Sequence, residues 1–401
     1  MKRIRCIVSC AVSLVLLAAA STASADDTLA ALIGLYKEKT DITQRYDIMR
    51  AIVGRSDPST VSFMIESLDE LNQMGVLPDK KGEEVRKNLK KLLVQSLGDM
   101  KADKAGPIIY RTVKDADDPY LKGEAIHSLG KIGDAAYAEE IALILKGVNT
   151  YRGSDISADE AVAYGCIKAL DLLKDPVGYF PVFFSLSAGY SRRIQDAARS
   201  ALNSMVEDPS DILRSLVVNE PSLTLKVEGL AAVGASKAPR EKKVTVAATA
   251  LRIGLALKPA NAEEAGILRE LRVRALQLCI DMGYTNPQAI ALIEQILYLN
   301  TDDNEKMFAV EALKSMKGED SALALTRYLA YQNGRQEAGV KERDNKLIIS
   351  TVRALGASNS RAGLQELLRV KYSGYTPAVM READKAIEKI KNAPELSAPV
   401  R

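Results

Sequence analysis

Few side chains in this sequence could carry out catalysis or bind a metal ion. The 401 residues contain one histidine, His127, and four cysteines: Cys6, Cys10, Cys166 and Cys279. A zinc site needs three or four His, Cys or carboxylate ligands, and a serine triad needs a histidine within a cleft. His127 falls at a position that we expect to face water. We therefore predict no catalytic residue, no metal ion, no cofactor and no enzymatic activity.

Neighbouring carboxylates give no better basis for acid and base catalysis. Residues adjacent in sequence point away from one another on a helix. The pairs are Asp117–Asp118, Glu139–Glu140 and Glu263–Glu264. Asp117 and Asp118 precede Pro119, an order typical of the start of a helix. We interpret these two aspartates as capping residues.

The first 25 residues have the three parts of a Sec signal peptide. Lys2, Arg3 and Arg5 precede an apolar run from 7 to 20, and small residues end the segment at Ala25. We therefore expect cleavage after Ala25 and a periplasmic or secreted protein. No later apolar run is long enough for a transmembrane anchor.

Removal of this segment would also remove the apparent positive charge of the chain. The whole sequence has 55 basic and 52 acidic residues, and three of the basic residues lie in the first five positions. The remaining 52 basic and 52 acidic residues give a net charge of zero. A nucleic-acid-binding protein needs a basic face, so we expect no nucleic-acid partner.

A short helical signature recurs through the rest of the chain. It places a large apolar residue, usually leucine, at intervals of 28 to 49 residues; we call these positions the leucine column. They are Leu97, Leu129, Leu170, Leu202, Leu230, Cys279, Leu313, Leu355 and Ile387, with a weaker copy around Ile52. The position four residues earlier is usually small, with Lys226 and Thr351 as exceptions. The position two residues earlier is always polar and should face water.

Each of these helices precedes a turn and a second apolar-striped helix, so the repeating unit is a helical hairpin. The run from Asp115 through Pro119 and Leu129 to Asp134 resembles the HEAT repeat, in particular the subtype named after phycobilisome lyases. The resemblance covers most of residues 40–392. It implies an all-α fold, an α-solenoid of about ten HEAT-like hairpins with a concave surface. We expect one solenoid over residues 26–395 and a disordered tail over 396–401.

Aromatic residues near irregular parts of the array are the candidates for contacting a partner. Tyrosine outnumbers phenylalanine fifteen to five and suits a half-wet interface. The candidates are Tyr151, Arg152, Tyr179, Phe180, Phe183, Phe184, Tyr190, Tyr328 and Tyr331. The adjacent Phe183 and Phe184 cannot face the same neighbouring helix. Either one ring is exposed for a partner, or the curvature of the array buries both.

These features favour a binding scaffold over an enzyme. We expect an exported, non-enzymatic adaptor that binds envelope proteins through its concave face or along the edge that carries its insertions. A peptidoglycan- or carbohydrate-associated envelope protein is an alternative. The resemblance to the phycobilisome-lyase subtype leaves a third reading, a bilin-lyase-like enzyme or chaperone, although no site motif accompanies it.

Overall fold

The computed structural model describes residues 25–151, 153–299, 302–340 and 345–392. Within these ranges the chain forms α-helices, short 3-10 turns and loops, and no strand. Three features of the sequence predictions lie outside the described residues: the signal segment before Ala25, the candidate Arg152, and the tail at 396–401. The helices fall into two compact units, Met1–Val206 and Glu207–Arg401. The sequence repeats gave no indication of this division.

The first unit contains ten described helices, which alternate between the two members of each hairpin. Their bounds are α1 Ala25–Glu38, α2 Ile42–Val53, α3 Val61–Gln73, α4 Lys80–Asp99, α5 Gly106–Asp115, α6 Pro119–Ile132, α7 Ala138–Thr150, α8 Ile156–Leu173, α9 Tyr179–Phe184 and α10 Arg192–Met205.

The second unit has the same alternation over its described residues. Its helices are α11 Ser210–Asn219, α12 Leu223–Ala235, α13 Arg240–Ala256, α14 Ala262–Met282, α15 Pro287–Leu297, α16 Asp303–Met316, α17 Glu319–Glu337, α18 Lys346–Ser358, α19 Leu364–Arg369 and α20 Pro377–Lys391.

The even-numbered helices from α2 to α20 carry the leucine column, and its residues from Ile52 to Ile387 are buried. Within each unit these helices lie side by side in one layer, and the odd-numbered helices form a second layer. The core lies between the two layers. Every residue of the polar column is at least partly exposed, from Gln95 to Lys385. The predicted all-α, repeated-hairpin architecture is therefore confirmed.

Aspartates begin several helices as the sequence predicts. Asp118 Oδ1 accepts hydrogen bonds from the backbone N–H groups of Tyr120 and Leu121, both at 2.9 Å. Asp134 accepts a hydrogen bond from Ala136 N–H at 3.0 Å and starts a 3-10 turn that leads into α7. These bonds satisfy N–H groups that a helix start leaves without an intrahelical partner.

Buried basic side chains close several helix ends, a feature that the sequence analysis did not foresee. Lys226, one of the two exceptions in the small-residue column, is buried in α12 and donates to the carbonyls of Val217 and Val218 at the end of α11. Lys243 does the same for the end of α12, through Gly234 and Ser236. A cation at this end is stabilised by the helix dipole and by carbonyls that lack other donors.

The polar insertions between hairpins, at 72–83, 147–159, 258–264 and 333–345, are partly absorbed into longer helices. Helix α17 extends to Glu337 and α7 to Thr150, while α4 begins at Lys80. No described helix is long and apolar enough to span a membrane.

Candidate functional site

The first unit contains an open cleft of about 380 Å³ on the outer face of its even-numbered helices. Its lining comes from α4, α6, α8 and α10, one helix from each of four successive repeats. The lining residues are Lys91, Tyr120, Gly123, Glu124, His127, Ser157, Glu160, Ala161, Tyr164, Gly165, Arg193 and Ile194. Tyr120 is 54% exposed at the rim, and Ser157 and Arg193 are also exposed. A partner could therefore reach the cleft directly from solvent.

The floor of the cleft forms where α6 and α8 pack backbone against backbone. A Cβ atom added to Gly123 would lie 2.4 Å from the carbonyl oxygen of Ala161, and one added to Gly165 would lie 2.1 Å from the carbonyl oxygen of Gly123. Only glycine permits so close an approach at these two positions. The floor residues are glycine, with no side chain, or alanine, with only a methyl group. The larger side chains around them therefore form the walls of the cleft.

The two carboxylates of the cleft are engaged by neighbouring groups. Glu160 accepts hydrogen bonds from Ser191 N–H at 2.6 Å and from Ser191 Oγ at 2.9 Å, one to each of its oxygens. This contact holds the start of α10 against α8. Glu124 Oε1 lies 3.6 Å from Lys131 Nζ. Glu160 is thus fixed by Ser191, whereas Glu124 shares Lys131 with Asp99, whose Oδ1 accepts a hydrogen bond from Lys131 Nζ at 2.9 Å.

The two cations of the cleft have no carboxylate partner among the described residues. Lys91 is half-buried on α4, and Arg193 is exposed on α10. The guanidinium of Arg193 lies over the ring of Tyr164, 4.7 Å from its centroid. This cation–π contact orients Arg193 along the cleft.

His127 lines the wall of the cleft and is half-buried, so it is less exposed than its place in the polar column predicts. Burial, helped by the nearby charge of Lys131, holds the pKa of His127 below its usual value. The imidazole is therefore neutral at pH 7 and offers one donor and one acceptor.

The aromatic segment at 179–190 is mostly part of the core. Tyr179, Phe183 and Tyr190 are buried, and burial raises the pKa of Tyr179 to about 12. Phe180 and Phe184 are half-buried and stack on one another, with ring centroids 6.3 Å apart. This burial corrects the expectation that Tyr179, Phe183 and Tyr190 present a partner-binding patch: Tyr179 and Phe183 are core side chains of the short α9, and Tyr190 is buried in the loop before α10.

In the second unit, the tyrosines proposed from the sequence divide between core and surface. Tyr328 is fully buried, and its hydroxyl accepts a hydrogen bond from Gln332 Nε2 at 2.7 Å, so it is not a surface anchor. Tyr331 is 46% exposed and packs edge-on against Tyr298, which is 42% exposed. Tyr298 was not among the candidates because it follows α15, in the preceding hairpin.

Tyr151, at the end of α7, is 83% exposed, while its sequence neighbour Arg152 lies outside the described residues. Tyr151 is therefore accessible, but it does not line the cleft.

The two cysteines in the described ranges are buried free thiols. Burial raises the pKa of Cys279 to about 12 and raises that of Cys166 further. Both thiols are therefore protonated and unreactive at neutral pH. Across the described residues, no group of three or more His, Cys, Asp or Glu side chains could hold a metal ion.

No family model matches this chain, and no curated protein matches it. Similar solved structures include an engineered protein that is 13% identical, with a TM-score of 0.36 over 91% of this chain and 99% of that one. Another is the UNC-45 chaperone, described as binding and folding muscle myosin. It is 12% identical with a TM-score of 0.23, and the match covers 91% of this chain and 56% of that one. TM-scores this low define no shared fold, and the all-helical assignment rests on the helices described above.

Proposed function

We propose that this chain is an exported, non-enzymatic scaffold of the HEAT type, which binds protein partners in the bacterial envelope through the cleft on α4, α6, α8 and α10. The observation that carries the proposal is the cleft itself. Four consecutive repeats of the first unit contribute side chains to one accessible surface. A broad surface assembled from several repeats is how solenoid proteins bind partners.

The arrangement of polar groups favours binding over catalysis. Ser157 and His127 both line the cleft, but no hydrogen bond connects them in this part of the described chain. Both oxygens of Glu160 accept hydrogen bonds from Ser191, and Glu124 lies within 3.6 Å of the charged Lys131. A nucleophile needs an adjacent base, and a general base needs free access to the proton it removes. These side chains therefore support recognition by shape and hydrogen bonding.

Site-specific photo-crosslinking in cells tests this proposal. A photoreactive phenylalanine analogue placed at Tyr120, on the rim of the cleft, should crosslink to one or a few defined proteins. The matched control is the same analogue at Tyr372, which is 87% exposed and lies far from the cleft in sequence. Equal crosslinking from both positions, or none from Tyr120, would count against the cleft as a binding site.

Export is a separate part of the proposal and rests on the basic and apolar pattern of residues 1–25. A fusion of these residues to a phosphatase that folds only outside the cytoplasm should give active enzyme, and replacement of Lys2, Arg3 and Arg5 by glutamate should reduce that activity. If the fusion with the natural residues 1–25 gave no phosphatase activity, export would be contradicted.

A peptidoglycan-binding role is the second candidate function, and the exposed rings of Tyr298 and Tyr331 favour it. Aromatic faces stack on sugar rings, and these two lie 5.2 Å apart between centroids. Co-sedimentation with purified peptidoglycan distinguishes the candidates. Binding that is lost on Tyr331→Ala supports this second function, and no sedimentation excludes it.

A further inference from the structure

We infer that His127 makes binding at the cleft sensitive to pH: the neutral imidazole allows a partner to cover the cleft, and its protonation weakens the complex. The inference rests on the proposed function, because it concerns the partner that occupies this cleft. It follows from three observations: where the imidazole lies, which charged groups surround it, and how a partner would change its contact with water.

His127 is the one histidine of the sequence, and it lies in the wall of the cleft. Histidine is the side chain whose ordinary pKa places its change of charge between pH 5 and 8. The packing of α6 against its neighbours leaves the imidazole half-buried, and the solvent that still reaches it enters through the cleft. A change of pH in this range therefore alters the charge of the cleft wall at this side chain.

The charged groups around His127 balance one another when the imidazole is neutral. Four charged side chains line the cleft, two of each sign, and two ion pairs flank His127. These groups are Lys91 and Asp99 on α4, Glu124 and Lys131 on α6, Glu160, Lys168 and Asp171 on α8, and Arg193 on α10, together with the hydroxyls of Tyr120 and Tyr164. Helix α5, which also packs against α6, contributes no residue to the cleft. Protonation of His127 would therefore add a positive charge that no anion of the cleft is left to balance.

The folded chain already disfavours the protonated imidazole before any partner binds. Burial, helped by the nearby charges of Lys131 and Lys168, holds the pKa of His127 below its usual value. Glu124, one turn earlier on α6, opposes this effect only in part. That carboxylate shares Lys131 with Asp99, so it is not reserved for the imidazole.

A partner that fills the cleft would remove the remaining water from the imidazole. Burial penalises a charged group more than a neutral one, so the partner would lower the pKa of His127 again. By linkage, a partner that lowers this pKa binds the protonated form more weakly than the neutral form. A tenfold change in the acid dissociation constant of His127 gives at most about a tenfold loss of affinity, and only at a pH below both pKa values. Acidification therefore favours release of the partner.

The first measurement is the titration of the imidazole in the purified full chain, prepared without a histidine tag. Because the sequence has one histidine, a chain isotope-labelled at histidine Cε1 gives one imidazole resonance in an NMR spectrum. This resonance should titrate with a pKa below the ordinary value of about 6.5. A pKa at or above that value would overturn the inference, because the cleft would then stabilise the charged form.

The second measurement is photo-crosslinking from Tyr120 at two pH values. Permeabilised cells that carry the photoreactive phenylalanine analogue at this position are equilibrated at pH 7.5 or pH 5.0 and then irradiated. The yield of crosslinked chain should fall about threefold at the lower pH, which is within the tenfold limit set by linkage.

Two substitutions of His127 assign the effect to its charge, and both introduce residue types that the polar column carries in other repeats. Glutamine stands at Gln95 and Gln277, and lysine at Lys168 and Lys385. The readout is the ratio of the yields at pH 7.5 and pH 5.0 within each variant, so a change in overall affinity does not affect it. This ratio should be close to one in His127→Gln and in His127→Lys, because neither new side chain changes its charge in this range.

Three crosslinking results would overturn the inference: equal wild-type yields at the two pH values, an equal fall in the wild type and in His127→Gln, or a higher wild-type yield at pH 5.0. The last result would mean that the partner supplies an acid to the imidazolium. Crosslinks at pH 7.5 persist in each of these cases, so the proposed function would stand. The absence of crosslinks from Tyr120 at either pH would instead contradict the proposed function and this inference together.

Discussion

The closest contact in the first unit gives the sharpest test of the structure. At Gly165 an added Cβ would lie 2.1 Å from the carbonyl oxygen and 2.7 Å from the carbonyl carbon of Gly123. Both are backbone atoms of α6, so no side chain can move aside. Gly165→Ala therefore requires α6 and α8 to separate by about 1.3 Å, because ordinary van der Waals contact of a Cβ atom begins at 3.4 Å.

The size of the effect follows from two opposing contributions. Overpacking of this kind costs about 3 kcal/mol, the upper part of its usual range, since the obstruction is backbone. Replacing glycine by alanine inside a helix returns up to about 1 kcal/mol. We therefore expect Gly165→Ala to lower the free energy of unfolding of the α6–α8 pair by about 2 kcal/mol. Gly123→Ala should act on the same contact, so the two effects should not add.

Native-state hydrogen exchange is the appropriate assay, because a repeat array unfolds in more than one step. Gly165→Ala should reduce the protection of amides in α6 and α8 and lower the first urea transition followed by circular dichroism. The matched control is Gly147→Ala in α7, where an added Cβ meets nothing within 4 Å, and it should be neutral or slightly stabilising. If Gly165→Ala were as stable as Gly147→Ala, the backbone contact between α6 and α8 would be refuted.

Three further predictions concern the core and its charges. Arg272→Met should lower the free energy of unfolding in urea by about 3 kcal/mol, because it leaves the fully buried carboxylate of Glu305 without the bidentate partner 2.5 Å away. The double variant Arg272→Met/Glu305→Met should recover part of that loss, and a double variant no more stable than the single one would contradict this. Burial lowers the pKa of Lys90 to about 8, below its unfolded value of about 10.4. The free energy of unfolding of the wild type, measured relative to that of Lys90→Met, should therefore increase as the pH rises from about 8 to 10. A difference between their urea midpoints that is constant from pH 7 to 10 would show that the pKa of Lys90 is not perturbed. Phe183→Ala should lower the stability by about 3–5 kcal/mol because the ring is fully buried. The control Leu143→Ala, at a residue that is 56% exposed, should cost less than about 1 kcal/mol. Similar losses of stability from both variants in thermal unfolding would argue against the placement of α9 in the core.

The sequence predicted the repeated helices well because their signal is local. The leucine column is buried at every copy from Ile52 to Ile387, and the position eight residues earlier is buried from Leu89 to Val379 in every copy except Ser222, which is what a helical period of 3.6 residues requires. Asp118 caps α6 where the aspartates before Pro119 predicted a helix start. Lys226, an exception in its column, is buried because its ammonium group reaches the end of the previous helix.

The site was harder to predict because it depends on contacts between repeats. Lys91, Tyr120, Tyr164 and Arg193 are far apart in sequence, and only the stacking of four helices brings them to one cleft. One signal was present: Gly123 and Gly165 interrupt otherwise larger residues on two consecutive repeat helices. The aromatic candidates Phe183 and Tyr328 were misplaced because composition alone does not distinguish a buried ring from an exposed one.

The most direct test of the proposed function is hydrogen exchange of the purified chain with and without the partner captured by crosslinking at Tyr120. A partner that fills the cleft should slow exchange in α6 and α8, and in the first turns of α10 around Arg193, while the second unit keeps its free-state rates. Protection confined to the second unit, or spread evenly over both units, would contradict the claim that this cleft is the binding surface.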